Sequence, residues 1–371
     1  MKNIFKYILN YIFFKIKIIN IKSQKQNIYI SISHVNPGRR LLQIVSHFLY
    51  CDFNVYLRIS LLNYLKLDSY GIYATLLKRV YPSFGITNKY SIIASDNINL
   101  LKKNKYNNVL KIYINFNIFK YLFQNKIDAN DFFYPIVCHR KYLSPEIEFD
   151  ISSKAANSKR KIGAVFAGNI ENYNLDITKK LFNINTRDET FSYICEKLPD
   201  NILYIPKCLN SFIEDIETGV LEYKVVLLNT KIFEIPDNKC FYILLNSKFF
   251  IHLSGNIYPY CHNQIESMMA GCIPITQFAR FFIPPFQNEI NALLFNTLDE
   301  LIYILTNIMS NNFIQNINIM HKNIIEYYFS YYSYQSFKTK LLNTLENNIL
   351  CCNYHLVISN TLYFNELIHN K

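Results

Sequence analysis

Short runs rich in β-branched and aromatic residues alternate with helix-length segments along most of this chain, and that alternation restricts the fold more than any other feature. It is the pattern of doubly wound α/β sheets. Residues 27–33 (NIYISIS) read as the first strand, followed by a turn from His34 to Arg40 and an apolar helix over 41–50. Further strands are expected at 54–60, 90–95 and 109–116, which together make one parallel sheet. The stretch 143–161 breaks the pattern with Pro145, serines, alanines and mixed charge. Alternation then restarts, with strands at 162–167, 201–205, 223–228, 248–253, 272–276 and 292–295. Helices are expected at 187–198, 236–245, 262–270 and through 298–348. A length of 371 residues exceeds what one core usually organises, so two domains are expected. The division reads as a basic apolar segment at 1–26, a first domain at 27–145, a linker at 146–161, a second domain at 162–350 and a tail at 351–371.

Half of the residues are apolar and only 18% are charged, which excludes a disordered chain or a coiled coil. The nine cysteines contain no CxxC pair and no zinc-type spacing, so free thiols in a reducing cytoplasm are the simpler reading. Net charge is +12, and eight cations (Lys2, Lys6, Lys15, Lys17, Lys22, Lys25, Arg39 and Arg40) precede the first acid, Asp52. A nucleic-acid reader spreads its cations along a groove-sized face, so charge confined to one end argues against a nucleic-acid partner. The N-terminal lysines interleave with Ile4, Phe5, Ile8, Leu9, Ile12, Phe13 and Phe14. The longest uncharged run there, Tyr7 to Phe14, is far short of the roughly 20 residues that span a bilayer. The first Gly is Gly38 and the first Ala is Ala74, which leaves no small-residue cleavage site for a signal peptide. The segment is therefore expected to lie on an anionic membrane surface. The plain alternative is a frayed basic tail ahead of the first strand.

Open α/β sheets take ligands beyond the carboxyl ends of their strands, where strand order reverses. In the first domain those ends carry His34 and Asp96; in the second they carry Gly168, Asn169, Ser254, Gly255, Asn256 and the helix that begins near His262. The chain has only eight glycines, so each marks a backbone that needs positive φ or a close approach.

The most specific stretch is 247–295. Ser247, Phe249, Ile251 and Gly255 fill the pattern S-x-F-x-L-x-x-x-G, and Glu266, Gly271, Cys272, Ile273 and Pro274 fill E-x-x-x-x-G-C-I-P. This resembles the donor-binding domain of GT-B glycosyltransferases, most closely the exostosin-like ones, and Pro284, Pro285, Phe286 and residues 291–295 look like the following loop and strand. The resemblance implies two Rossmann-like doubly wound domains facing across a cleft, a nucleotide-sugar donor as co-substrate, and no further cofactor. Gly255 would let backbone amides approach a diphosphate, and the amides opening the next helix would turn partial positive charge toward it. The role implied for Glu266 is to accept hydrogen bonds from ribose hydroxyls; the plain alternative is an exposed helix residue beside His262.

Two positions depart from the pattern. Tyr258 stands where many retaining members carry a second acid, and Asn263 where exostosin-like members often carry Arg. A diphosphate still needs cations, so Arg187 and Lys207 are expected to serve, with Arg280 as a further candidate. Arg187 could equally be a solvated first-turn residue. No DxD element appears, and His262 with Glu266 lacks a third metal ligand, so the reading requires no metal. An inverting transfer needs one general base for the acceptor hydroxyl, for which Asp96 and His34 are the candidates. Their alternatives are a helix cap for Asp96 and a turn hydrogen bond for His34. The expected activity is transfer of a sugar to a hydroxyl of a lipid-linked saccharide or polysaccharide at the inner face of the plasma membrane, in bacterial surface polysaccharide or lipopolysaccharide synthesis. A nucleotide-sugar epimerase of the same fold is the second enzyme reading, but it leaves the basic apolar N-terminus unexplained. A non-catalytic basic protein that binds membrane or nucleic acid is the third.

Overall fold

The computed structural model describes residues 26–33, 38–60, 80–83, 86, 89–103, 108–116, 118–123, 127–135, 138–139, 144–171, 175–255, 259–310 and 316–356. The expected membrane segment (all but residue 26), His34, Asn256, Tyr258 and residues 357–371 lie outside them. The described chain forms two compact units, one of residues up to 145 together with 333–356, the other of residues 146–332.

The first unit holds strands β1 (Asn27–Ser31), β2 (Asn54–Arg58), β3 (Tyr81–Pro82), β4 (Ile92–Ser95), β5 (Leu110–Asn115) and β6 (Phe132–Phe133). The second holds β7 (Ile162–Gly168), β8 (Leu203–Tyr204), β9 (Val225–Asn229), β10 (Ser247–Ile251), β11 (Ile273–Thr276) and β12 (Leu293–Leu294), and a last strand, β13 (Cys351–His355), returns to the first. The sheets run β3-β2-β1-β4-β5-β13-β6 and β12-β11-β10-β7-β9-β8, and every pairing is parallel. Two parallel-sheet α/β units are the expected fold class.

Each strand of such a sheet is buried on both faces, and its alternate side chains serve different layers. In β1, Ile28 and Ile30 pack with Leu41, Val45 and Phe48 of the helix Gly38–Tyr50. Tyr29 turns the other way, into a layer with Tyr56, Tyr90, Ile93 and Leu101, the last from the helix Ile98–Lys103. That double burial is why the strands read as near-continuous apolar runs.

Two expectations are corrected. The stretch 146–161, expected as the interdomain linker, belongs to the second unit, and Pro145–Ala156 is a helix that opens with proline and carries Glu146 and Glu148 in its first turn. Proline suits a first helical position, and acids suit the positive end of the dipole. Glu148 is buried and accepts a hydrogen bond from Tyr328 Oη at 2.8 Å, which fastens the helix inside the second unit. Residues 351–355 are likewise not part of a tail, because they form β13 between β5 and β6. The helices expected through 298–348 are three, Leu298–Ile308, Ile317–Tyr331 and Tyr334–Glu346. Ser333 caps the third by accepting from Ser336 N at 2.9 Å, and Phe337 and Leu341 bury it in the core of the first unit. The chain therefore re-enters the first unit at Ser333.

In the second unit the helix His262–Met269 ends as expected at Gly271, whose φ is +72°. Cys272 N donates to Ser267 O at 2.8 Å and Gly271 N to Met268 O at 2.9 Å, the paired closure of a Schellman motif. A Cβ on Gly271 would stand 2.6 Å from Arg160 Nη2, so both backbone and space call for glycine.

Candidate functional site

In the second sheet β9 and β8 lie on one side of β7, and β10 lies on the other, so strand order reverses between β7 and β10. The carboxyl ends of those two strands present Gly168 and Asn169, and Ser254 and Gly255. Two helix starts join them, Arg187–Lys197 and His262–Met269.

Arg187 ties the strand ends together. Thr186 caps its helix, and the Glu189 carboxylate accepts from Thr186 N at 3.1 Å, which fixes the first turn. From there the guanidinium, only 5% exposed, donates from Nε to Ser254 O at 2.8 Å and from Nη1 to Asn169 O at 2.5 Å. The solvated first-turn reading is set aside. The ring of Phe166 also lies beside the guanidinium, with its centroid 5.9 Å away, an arrangement that suits a cation.

Glu266 is buried too, with a side chain 6% exposed, which sets aside the exposed-helix alternative. Its two oxygens lie 3.1 and 3.2 Å from His262 Nδ1, while the His262 side chain is 38% exposed. An i,i+4 pair of this kind holds the carboxylate in one orientation. Among the described residues no three His, Cys, Asp or Glu side chains are placed to hold a metal ion.

Sequence reasoning gave no role to three neighbours on the same helix start. Cys261 is the N-cap, with Asn263 and Gln264 following. Gln264 Oε1 accepts from Cys261 N at 3.0 Å, and Nε2 donates to Pro259 O at 2.9 Å, so this residue knits the preceding loop to the helix. The signal was a capping box with Cys in place of Ser or Thr, followed three residues later by Gln. Burial alone would raise the Cys261 thiol, but Arg187, His262 and the Asn263 amide outweigh it and hold the thiol below its usual range. Burial pushes the thiol of Cys272 up to about 11. Because the thiolate is the nucleophile, iodoacetamide at mildly alkaline pH should alkylate Cys261 before Cys272. Peptide mass mapping over time would show it, and Cys272 reacting first or together with Cys261 would contradict the electrostatics.

The structure does not bring Lys207 to this place. It is exposed and follows β8, an edge strand of two residues that pairs only with β9. Two strand spacings, roughly 10 Å, separate β8 from β7. Arg280 serves a local role, donating from Nη2 to Phe182 O at 2.5 Å beside the ring of Phe281.

In the first unit β2 and β3 lie on one side of β1 and β4 on the other, so the reversal falls between β1 and β4. Asp96 follows β4 at that point, and its carboxylate accepts from Ser33 N at 2.9 and 3.0 Å and from Ser33 Oγ at 3.0 Å. The cap of the next helix is Asn97, whose Oδ1 accepts from Asn99 N and Leu100 N at 3.0 and 3.2 Å, so the capping alternative for Asp96 falls.

These features define two parallel α/β units, each with a chemically equipped switch point. No family model and no curated protein matches the sequence. Among solved structures the chain is similar to Anabaena HepE in complex with UDP, at 11% identity and a TM-score of 0.48 over 87% of this chain and 100% of that one. It is also similar to a glycosyltransferase from Rickettsia africae, at 12% identity and a TM-score of 0.48 over 88% and 99% of the two chains. A third is the lipopolysaccharide outer core galactosyltransferase WaaB in its apo form, at 10% identity and a TM-score of 0.47 over 87% and 100%.

Proposed function

We propose that this chain is a glycosyltransferase of the GT-B class that binds a nucleotide sugar at the β7–β10 switch point and transfers the sugar to a hydroxyl. The observation that carries the reading is the meeting of Gly168, Asn169, Arg187, Ser254 and the start of the His262–Met269 helix at one strand-order reversal, with the buried carboxylate of Glu266 on that helix. Arg187 and the helix amides would stabilise the diphosphate as it leaves with the bonding electrons. Glu266, oriented by His262, would accept from the ribose hydroxyls. Asp96, at the reversal in the first unit, is the proposed base for the acceptor hydroxyl. No step of this scheme asks for a metal. An epimerase would use the same donor pocket but needs no acceptor and gives the basic N-terminus no task.

Glu266→Ala removes a charge-assisted hydrogen bond worth about 1.5–3 kcal/mol, which corresponds to roughly tenfold to hundredfold weaker donor binding. Calorimetric titration of the two proteins with UDP-glucose, GDP-mannose and dTDP-glucose would show this. Equal affinities would take Glu266 out of the site.

The acceptor in this reading is a lipid-linked saccharide or polysaccharide of a surface polysaccharide or lipopolysaccharide pathway, and the chain works at the inner face of the plasma membrane. The support is the run of eight cations before Asp52. No described helix is long and apolar enough to cross a membrane. Deleting residues 1–24 should release the protein from anionic vesicles in a sedimentation assay. Co-sedimentation of both forms, or of neither, would end the membrane proposal.

A further inference from the structure

Asn263 occupies the second position of the helix His262–Met269 and is 8% exposed. Its Nδ2 donates to Ala167 O at 2.8 Å and would lie 3.4 Å from a Cβ placed on Gly168. The carboxamide is therefore pinned against the end of β7, where Gly168 carries no side chain. The other end of the amide is unmet, because Oδ1 is enclosed and has no hydrogen-bond partner. Enclosed acceptors in folded proteins are nearly always paired, so this one calls for an account. Turning the amide over does not supply it. That would place Oδ1 against Ala167 O, two acceptors face to face, and lose the bond that fixes the group.

The chemistry of the orphan atom narrows its partner. A phosphate oxygen is an acceptor and cannot satisfy an amide oxygen, whereas a hydroxyl can. In a nucleotide sugar the hydroxyls belong to the ribose and to the transferred sugar, and Glu266 already supplies an acceptor for the ribose in the reading above. We infer that Asn263 is a specificity-determining residue of the donor site, its Oδ1 accepting a hydrogen bond from one hydroxyl of the transferred sugar. The inference rests on the glycosyltransferase reading. Because Oδ1 is enclosed, the pairing forms as neighbouring groups shift on donor entry. A buried acceptor left unmet rejects a sugar lacking that hydroxyl more strongly than a loose pocket would.

Calorimetry separates this from the parent reading. UDP-glucose, GDP-mannose and dTDP-glucose, each beside its free nucleoside diphosphate, are titrated into wild-type protein and into Asn263→Ala. The expected result is a loss of about tenfold or more for the nucleotide sugar and a much smaller change for the nucleoside diphosphate. Equal losses for both, or none, would overturn the assignment. A second arm needs no variant. Monodeoxy analogues of the sugar that binds are compared on wild-type protein, where one hydroxyl should stand out by about tenfold. If none does, Asn263 selects nothing. Wild-type protein that binds no nucleotide at all would instead overturn the glycosyltransferase reading, and this inference with it.

Discussion

Replacing Asp131 with alanine should lower the stability of the first unit by about 3–5 kcal/mol, the range for removing one partner from a buried charged network. Asp131 is 2% exposed, and its oxygens are surrounded by donors. Oδ1 accepts from Asn353 N at 2.8 Å and Asn353 Nδ2 at 2.9 Å, and Oδ2 from His355 Nε2 at 2.9 Å and Asp128 N at 3.2 Å. His355 in turn accepts on Nδ1 from Asn115 Nδ2 at 2.9 Å, so β5, β13 and the turn before β6 are joined through one carboxylate. Alanine would leave His355 Nε2 enclosed and unmet. Chemical denaturation followed by tyrosine fluorescence would measure the loss, and a change below about 1 kcal/mol would show that the network is not what holds β13. The same group predicts an acid dependence. Burial alone would raise the Asp131 carboxyl, but the bonds from His355 and Asn353 outweigh it and hold it below the ordinary carboxylate range. A lowered native value gives stability that is full above the unfolded carboxyl's range and is lost as pH falls through the native value. Wild-type protein should lose stability in acid more steeply than Asp131→Ala.

This network also explains what could not be read in the sequence. The segment CCNYH has no run of β-branched residues, and its strand is specified by Asp131, more than 220 positions away in the chain. By contrast, β1, β2, β4 and β7 are buried on both faces for most of their length and so announce themselves as apolar runs. The helix end at Gly271 was legible because a left-handed residue selects glycine. Strand order was not legible, and Lys207 was misplaced for that reason, since nothing in residues 201–207 says that β9 separates β8 from β7. Glu266 was singled out by the motif and Arg187 by the need for a cation beside a diphosphate, but their burial follows from carbonyl ends and a histidine brought in by the fold. The Cys261 and Gln264 capping box was present as a pattern in the sequence, whereas the seating of Asn263 against Ala167 follows only from the β7–β10 reversal.

Asp96→Asn should lower turnover about 100-fold or more with little change in donor affinity, because proton removal contributes to the transition state and not to donor binding. The substitution is close to isosteric. An asparagine Oδ1 can still accept from Ser33 N and Ser33 Oγ, so the loop after β4 should keep its place, and a loss of turnover would report on basicity. Initial rates of sugar transfer beside calorimetric donor affinity would separate the two effects. Unchanged turnover would move the base to His34, whereas parallel losses in rate and affinity would point to a disturbed fold.

The central claim is that the reversal between β7 and β10 is a nucleotide-sugar site, and it is tested most directly by titrating the full chain with UDP, GDP, dTDP and CMP in a calorimeter. The account predicts saturable binding of at least one of them at one site per chain. It also predicts that the same ligand slows alkylation of Cys261, which contacts Arg187 at that site. Absence of binding by all four would contradict the account.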